Sequence, residues 1–238
     1  MPCNDFSQNT THVEFLGDFN KQFGFTALHS PSNSIIVTFR GSRNFDNWLH
    51  DLLFAKPDAP FPTAPKNAKI HFGFLSSYYQ VRSEFLTRLK QLRQAYPDST
   101  VRFLGHSLGG AIALIALLDA LSQKLILVNA TTLLSIGAPR VGNAEFAQWA
   151  HQQFPNALRI VNQNDLCPHL PPVVANFAHS GTEIFIENDA GDTFKCLTTT
   201  ELESPLCSNQ YKMHDISKHG YAWDYRCGIQ SCKNYILK

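Results

Sequence analysis

An α/β fold, with a mostly parallel central sheet flanked by helices, is what this sequence predicts. Two observations carry that expectation. From about residue 23 to 161, runs rich in β-branched and aromatic residues alternate with helical stretches at the spacing of strand–helix–strand units. One junction is also distinctive: Phe103-Leu104-Gly105-His106-Ser107-Leu108-Gly109-Gly110 passes from a β-prone run into a long alanine- and leucine-rich helix. The glycines there let strand and helix approach closely around a serine in G-x-S-x-G spacing.

The elements follow in order. Residues 12 to 40 read as β, with Phe23 to His29 and Ile35 to Arg40 separated by the hairpin loop Ser30-Pro31-Ser32-Asn33-Ser34. Gly73 to Tyr96 reads as one long helix, because Phe74, Tyr78, Val81, Phe85, Leu89 and Leu92 form a single stripe that Pro97 ends. Strand 100–105, the serine turn, helix 108–123, strand 132–138, helix Gly142 to Phe154 and strand Ala157 to Val161 come next. This alternation implies helices on both faces of the sheet. Beyond Pro172 come short strands, such as Glu183 to Ile186, and loops. No repeat, low-complexity tract or linker interrupts the chain, so residues 1–238 read as a single domain.

Composition narrows the function classes. The chain is 44% hydrophobic, enough for a sizeable core, and 20 basic against 19 acidic residues leave a net charge of +1. No basic run suits nucleic acid and no acidic tail suggests disorder. The longest apolar run, Ala111 to Leu118, is too short to cross a bilayer. Four of the six cysteines, Cys196, Cys207, Cys227 and Cys232, fall in the loop-rich C-terminal part, which implies disulfides and an oxidising compartment. We expect Cys196 bridged to Cys207, with Cys227–Cys232 the next pair and Cys3 a competitor. Zinc would want closer C-x₂-C pairing, and no cofactor motif is present. Met1 to Asp5 lacks the basic-then-apolar pattern of a leader. The expectation is a secreted protein whose signal peptide is not part of this chain.

Ser107 is the candidate nucleophile: the turn pushes its hydroxyl outward at the positive end of a helix. A serine hydroxyl needs a base, and the base an orienting acid. In an α/β hydrolase these follow in chain order, acid and then histidine. Asp165 suits the acid, since it comes directly off the strand ending near Val161 and precedes the stiff loop Pro168-His169-Leu170-Pro171-Pro172. Among later histidines, His169 is too near Asp165 and His179 precedes a strand, while the pattern leaves His214 and His219 open. An oxyanion hole would take the amide of Leu108 and a donor after the strand Ile35 to Arg40, where Ser42 could add its hydroxyl.

Together these segments resemble the class 3 lipases, the fungal triacylglycerol lipases and their feruloyl-esterase relatives, from about Gly24 to Tyr221. The matching stretches are Thr38-Phe39-Arg40-Gly41-Ser42 with Asn47-Trp48-Leu49, then His71-Phe72-Gly73-Phe74, the serine turn, Gly137 to Asn143, and Asn164-Asp165 with Pro168 to Pro172. The resemblance implies an α/β-hydrolase fold, with Ser107, Asp165 and His219 as a triad and Ser42 and Leu108 as oxyanion donors. His219 is selected because Asp215 stands a few residues ahead of it, and His179 matches a non-catalytic histidine. The chain departs from the family in three ways. Tyr221 follows His219 by two residues rather than three, this chain starts too late to include the family's long N-terminal helix, as a truncated form would or one that covers that surface otherwise, and Cys167 replaces an apolar residue near the acyl site. A buried cysteine acts as a small hydrophobe, so we expect Cys167 to serve packing.

Between Ser42 and Gly73, Phe45, Trp48, Leu49, Leu52 and Leu53 form one apolar helical face, followed by Pro57, Pro60, Pro62 and Pro65. The resemblance makes residues 43–56 a lid over an apolar pocket, with Leu170 a further substrate contact. The expected activity is hydrolysis of acylglycerol esters at a lipid–water interface by a monomer needing no cofactor or metal. Feruloyl esterase or phospholipase A1 is the alternative, and a non-catalytic lipid-binding protein is the remote one.

Overall fold

The computed structural model describes residues 9–18, 22–41, 55–196, 203–223 and 225–226. An antiparallel meander opens it: β1 (Thr10–Gly17), β2 (Phe23–His29) and β3 (Ser34–Phe39). Then follow α1 (Phe72–Tyr79), α2 (Arg82–Ala95), β4 (Thr100–His106), α3 (Leu108–Ser122), β5 (Thr131–Ile136), α4 (Ala144–Gln153) and β6 (Ala157–Asn162). β7 (Thr182–Ile186) and β8 (Thr193–Lys195) complete an eight-stranded sheet whose strands lie side by side in sequence order. Strands β3 to β7 are parallel and both edges are antiparallel. A two-stranded ribbon, β9 (Tyr221–Ala222) with β10 (Tyr225–Arg226), forms a separate small sheet.

Register explains the core. Val37, Phe103, Leu133 and Ala157 pair across β3 to β6 and form one row on one face, where side chains of all four helices join them. Successive strand residues face opposite ways, so Leu134, Ile136, Ile160 and Ile184 fall on the other face, and Ala222 of β9 packs there. The alternating pattern predicts helices on both faces; among the described residues, the four helices instead share the core of a single face. Consecutive strand order with right-handed crossovers produces that arrangement. α3 is buried almost all round, as its apolar composition requires.

One expected helix is two. The stripe Phe74, Tyr78, Val81, Phe85, Leu89 and Leu92 is buried throughout, but the helix breaks at Gln80–Val81. The halves follow different partners: α1 packs on α3, whereas α2 lies against β1 and β2. The Glu84 carboxylate accepts the Gly17 N–H at 2.7 Å, which ties the first turn of α2 to the sheet edge. Tyr78 and Arg82, either side of the break, both donate to Asp119 Oδ2 at 2.6 Å and so pin the joint to α3.

Candidate active site

Backbone geometry places Ser107. It follows the last residue of β4 and takes φ 57°, ψ −132°, a conformation that L-residues rarely hold without support. Support comes from both sides. The Ser107 N–H donates to Ile136 O on β5, and its carbonyl accepts the Gly110 N–H, each at 2.9 Å. Gly109 admits the helix: a Cβ there would stand 2.0 Å from the carbonyl oxygen of Phe39 on β3. A Cβ on Gly41 would lie 3.2 Å from Ser107 Cβ, so the chain leaving β3 passes directly beside the serine. Ser42 comes next but lies outside the described residues, as do Phe45, Trp48, Leu49, Leu52, Leu53, most of the expected lid, and Cys3, Cys227 and Cys232. Leu108 opens α3, where a first-turn amide has no partner within the helix.

Asp165 stands three residues beyond β6 and is 1% exposed. Its Oδ1 accepts the Cys167 N–H at 2.9 Å. His219 Nδ1 lies 2.9 Å from Oδ2 and 3.1 Å from Oδ1, so the imidazole straddles the carboxylate. Ser107 and His219 are buried as well. The thiol of Cys167, wholly buried, is 3.9 Å from Ser107 Oγ. Burial, with the Asp165 charge beside it, raises that thiol well above its ordinary pKa despite the Ser107 contact, so it stays protonated. That matches the packing role expected of it.

The other histidines are occupied elsewhere. His169 Nδ1–H donates to the backbone carbonyl of Asp165 at 2.9 Å, and its ring stacks on His214 at 3.8 Å between centroids. His179 Nε2–H donates to Pro168 O at 2.7 Å, and burial above all holds its pKa far below that of free imidazole. His106, the residue before Ser107, donates from Nε2 to the carbonyl of His219 at 2.8 Å.

A polar clamp that the sequence does not reveal holds the acid loop. Arg140 forms a two-pronged pair with Glu203, 2.8 Å on each arm, and donates to the carbonyls of His169 at 2.6 Å and Pro171 at 3.2 Å. Glu203 also accepts the His179 N–H at 2.9 Å. Burial alone would raise the Glu203 carboxyl, but the Arg140 hydrogen bonds and the charges of Arg140 and Arg159 hold it below the usual carboxylate range. Leu170 is half-buried, and its carbonyl accepts the Arg140 backbone N–H at 2.8 Å. Arg140 belongs to the family-like stretch Gly137 to Asn143, but 63 residues separate it from Glu203 and no pattern joins them. The Cys196–Cys207 disulfide forms as expected, between β8 and the turn Ser208–Gln210.

His219 rides on a 3-10 turn, Ile216–Gly220, capped by Asp215, whose Oδ1 accepts the Ser217 N–H at 2.8 Å and whose Oδ2 accepts the Ser217 hydroxyl at 2.7 Å. The Asp215 N–H donates to Asn164 O at 2.8 Å and Asn162 Nδ2 to Lys218 O at 3.1 Å, fastening this turn to the end of β6. Asp215 is thus a cap at the start of the turn, a role that the Asp-x-Ser spacing could have signalled.

Comparison with known proteins agrees with this architecture. The family model "Lipase (class 3)" matches residues 36–175. A lipase of Rhizomucor miehei is 39% identical over 185 residues, covering 77% of this chain and 50% of its own length. A Fusarium solani protein named secreted mono- and diacylglycerol lipase 1 is 28% identical over 179 residues, covering 75% of this chain and 51% of its own. The chain therefore spans about half the length of these curated relatives. A solved structure named "A serine protease triad forms the catalytic centre of a triacylglycerol lipase" superposes with a TM-score of 0.85 at 30% identity, covering 93% of this chain and 83% of its own. With the sheet, the serine turn and these matches in hand, the chain belongs to the class 3 lipase family and has the α/β-hydrolase fold.

Proposed function

We propose that this protein is a serine hydrolase that cleaves the carboxylic esters of acylglycerols, in the manner of a triacylglycerol lipase. The observation that carries the proposal is the imidazole of His219 seated on both oxygens of Asp165, with its ring 4.5 Å from that of His106, the residue before a serine held at positive φ at the head of a helix. Ser107 Oγ attacks the ester carbonyl while His219 Nε2 takes its proton and then gives it to the departing glycerol oxygen. Water repeats the sequence on the acyl-enzyme and releases the fatty acid. Asp165 keeps the Nδ1–H tautomer in place and stabilises the imidazolium that forms at each step. The amide of Leu108 and a donor from Ser42 receive the developing oxyanion. Likeness to the triacylglycerol lipase named for its serine protease triad supports the triad assignment.

Acylglycerols are favoured as substrates by the relatives' names and by the apolar face Phe45, Trp48, Leu49 and Leu52. Residues 43–56 then serve as the lid and Leu170 as a contact for the acyl chain. The whole chain acts as one domain and as a monomer. Secretion is supported by the disulfide and by the relative named as secreted.

Two measurements test this. A fluorophosphonate probe should label wild-type protein at Ser107, and Ser107→Ala should lower kcat by roughly 10⁴- to 10⁶-fold without lowering the melting temperature. A panel of p-nitrophenyl esters from acetate to palmitate, run beside emulsified triolein and methyl ferulate, assigns the substrate. Rising rates with emulsified triolein support the lipase; preferred turnover of methyl ferulate moves the enzyme to the feruloyl esterases. A protein that binds lipid but resists the probe is not a hydrolase.

A further inference from the structure

The proposed chemistry leaves the residue beside the nucleophile without a task. His106 closes β4, and its Nε2 lies 2.8 Å from the carbonyl oxygen of His219. The two rings sit 4.5 Å apart between centroids, with planes 35° apart. A carbonyl oxygen can only accept, so Nε2 carries the proton and the Nδ1 of the neutral ring does not. The bond spans 113 residues of chain, yet it links close neighbours of the reaction: His106 precedes Ser107, and the acceptor is the backbone of His219 itself. Asn162 Nδ2 does the same for the preceding carbonyl, Lys218 O, at 3.1 Å. Two successive carbonyls of the histidine turn are therefore held by side chains at the ends of β4 and β6.

We propose that His106 is a positioning residue for His219, pinning the backbone of the base to the strand that carries the nucleophile. The inference rests on the assignment of His219 as the base. Asp165 grips the ring at Nδ1, and an imidazole gripped there can still pivot about that bond; the carbonyl bond fixes the other end of the residue. Ser107 and His219 then keep their separation when loops around the pocket move. Charge imposes a second demand at this position. His219 becomes a cation in each half-reaction, and a second cation at the 4.5 Å ring spacing would oppose it. Burial, with the nearby His219, pulls the His106 pKa down to about 4 against the opposing pull of its His219 bond and Asp165. The ring therefore stays neutral while its neighbour cycles.

Three substitutions test the role. His106→Leu removes the donor, His106→Asn carries an amide that stops short of the carbonyl, and His106→Gln carries one that reaches the place of Nε2. Displacement of a catalytic group by about 1 Å costs up to ~10²-fold, so Leu and Asn should lower kcat on a short soluble ester by roughly 10- to 10²-fold. KM should stay unchanged, the rate of fluorophosphonate labelling should fall in step, and Gln should recover most of both. Leu and Asn enzymes within about twofold of wild type, or a Gln enzyme as slow as Leu, overturn the proposal. Should the Leu variant fail to fold, the Asn and Gln pair decides alone. Failure of the underlying assignment shows separately, in the wild-type background: full activity of His219→Ala removes the base and this inference with it.

Discussion

Ser107 and the Asp165–His219 pair are held in place by different materials. The serine is held by main chain, through hydrogen bonds to Ile136 O and from Gly110 N–H, with Gly109 pressed against the backbone of β3. The acid and the histidine sit on loops held by side chains: Arg140 with Glu203, His179, Asp215, Asn162 and His106. A backbone device asks little of side-chain identity, so nearly any apolar side chain nearby will serve but an added methyl group will not. A side-chain device is assembled from distant positions and fails when one member is removed.

The sharpest way to break this contrast is Glu203→Ala. It strands Arg140, whose side chain is 3% exposed, so about 3–5 kcal/mol of stability should be lost. Chemical denaturation measures the loss, and a drop under about 1 kcal/mol would mean that the clamp is incidental. Gly109→Ala is the matching test on the serine side. The new Cβ would meet backbone at 2.0 Å, so the cost should reach the upper end of the roughly 1–3 kcal/mol usual for overpacking, with labelling at Ser107 falling more than the melting temperature suggests. Normal labelling by this variant would show that the serine side is more plastic than its geometry indicates.

Replacing Cys196 and Cys207 together by Ala should cost about 3 kcal/mol, because the bridge spans 11 residues of sequence. The loss should fall on the acid and histidine loops, seen as faster amide exchange there than in α3. The smallest effect concerns pH. His106 in the folded protein has its pKa below that of free imidazole, so the unfolded chain binds a proton that the folded one refuses. Stability therefore falls as pH drops from about 6.5 toward 4 and levels off below. Between pH 7 and 6 this group alone should remove roughly 0.5–1 kcal/mol, and His106→Gln should flatten the melting profile by that much.

The same division decides what can be read from the sequence. Strand and helix periods and the Gly-x-Ser-x-Gly turn are short-range signals, so β2 and β3, the buried stripe and the serine turn all emerge from local pattern. Asp165 is legible because it follows a strand directly. The choice between His214 and His219 is not legible in local pattern and is made only by the family resemblance, through the spacing from Asp215, because what separates them physically is which ring reaches the carboxylate. The Arg140–Glu203 clamp stays hidden for the same reason. The break at Gln80–Val81 escapes the pattern because the apolar stripe runs through it without interruption, and only the diverging partners of α1 and α2 require it. Ser42 and the lid candidates stand on sequence alone.

Because every strand of the main sheet lies beside the one made just before it, the chain can be assembled in the order in which a ribosome delivers it. The proposed nucleophile appears early, and the proposed base only after all eight sheet strands. At ordinary elongation rates the interval between residues 107 and 219 is roughly 5–20 s. During that time the nascent chain holds a serine elbow without its proposed base. A chain interrupted between Lys195 and His219 would have all eight strands of the main sheet but not the proposed base, and on the proposed mechanism no means of attacking the lipids of the cell that made it.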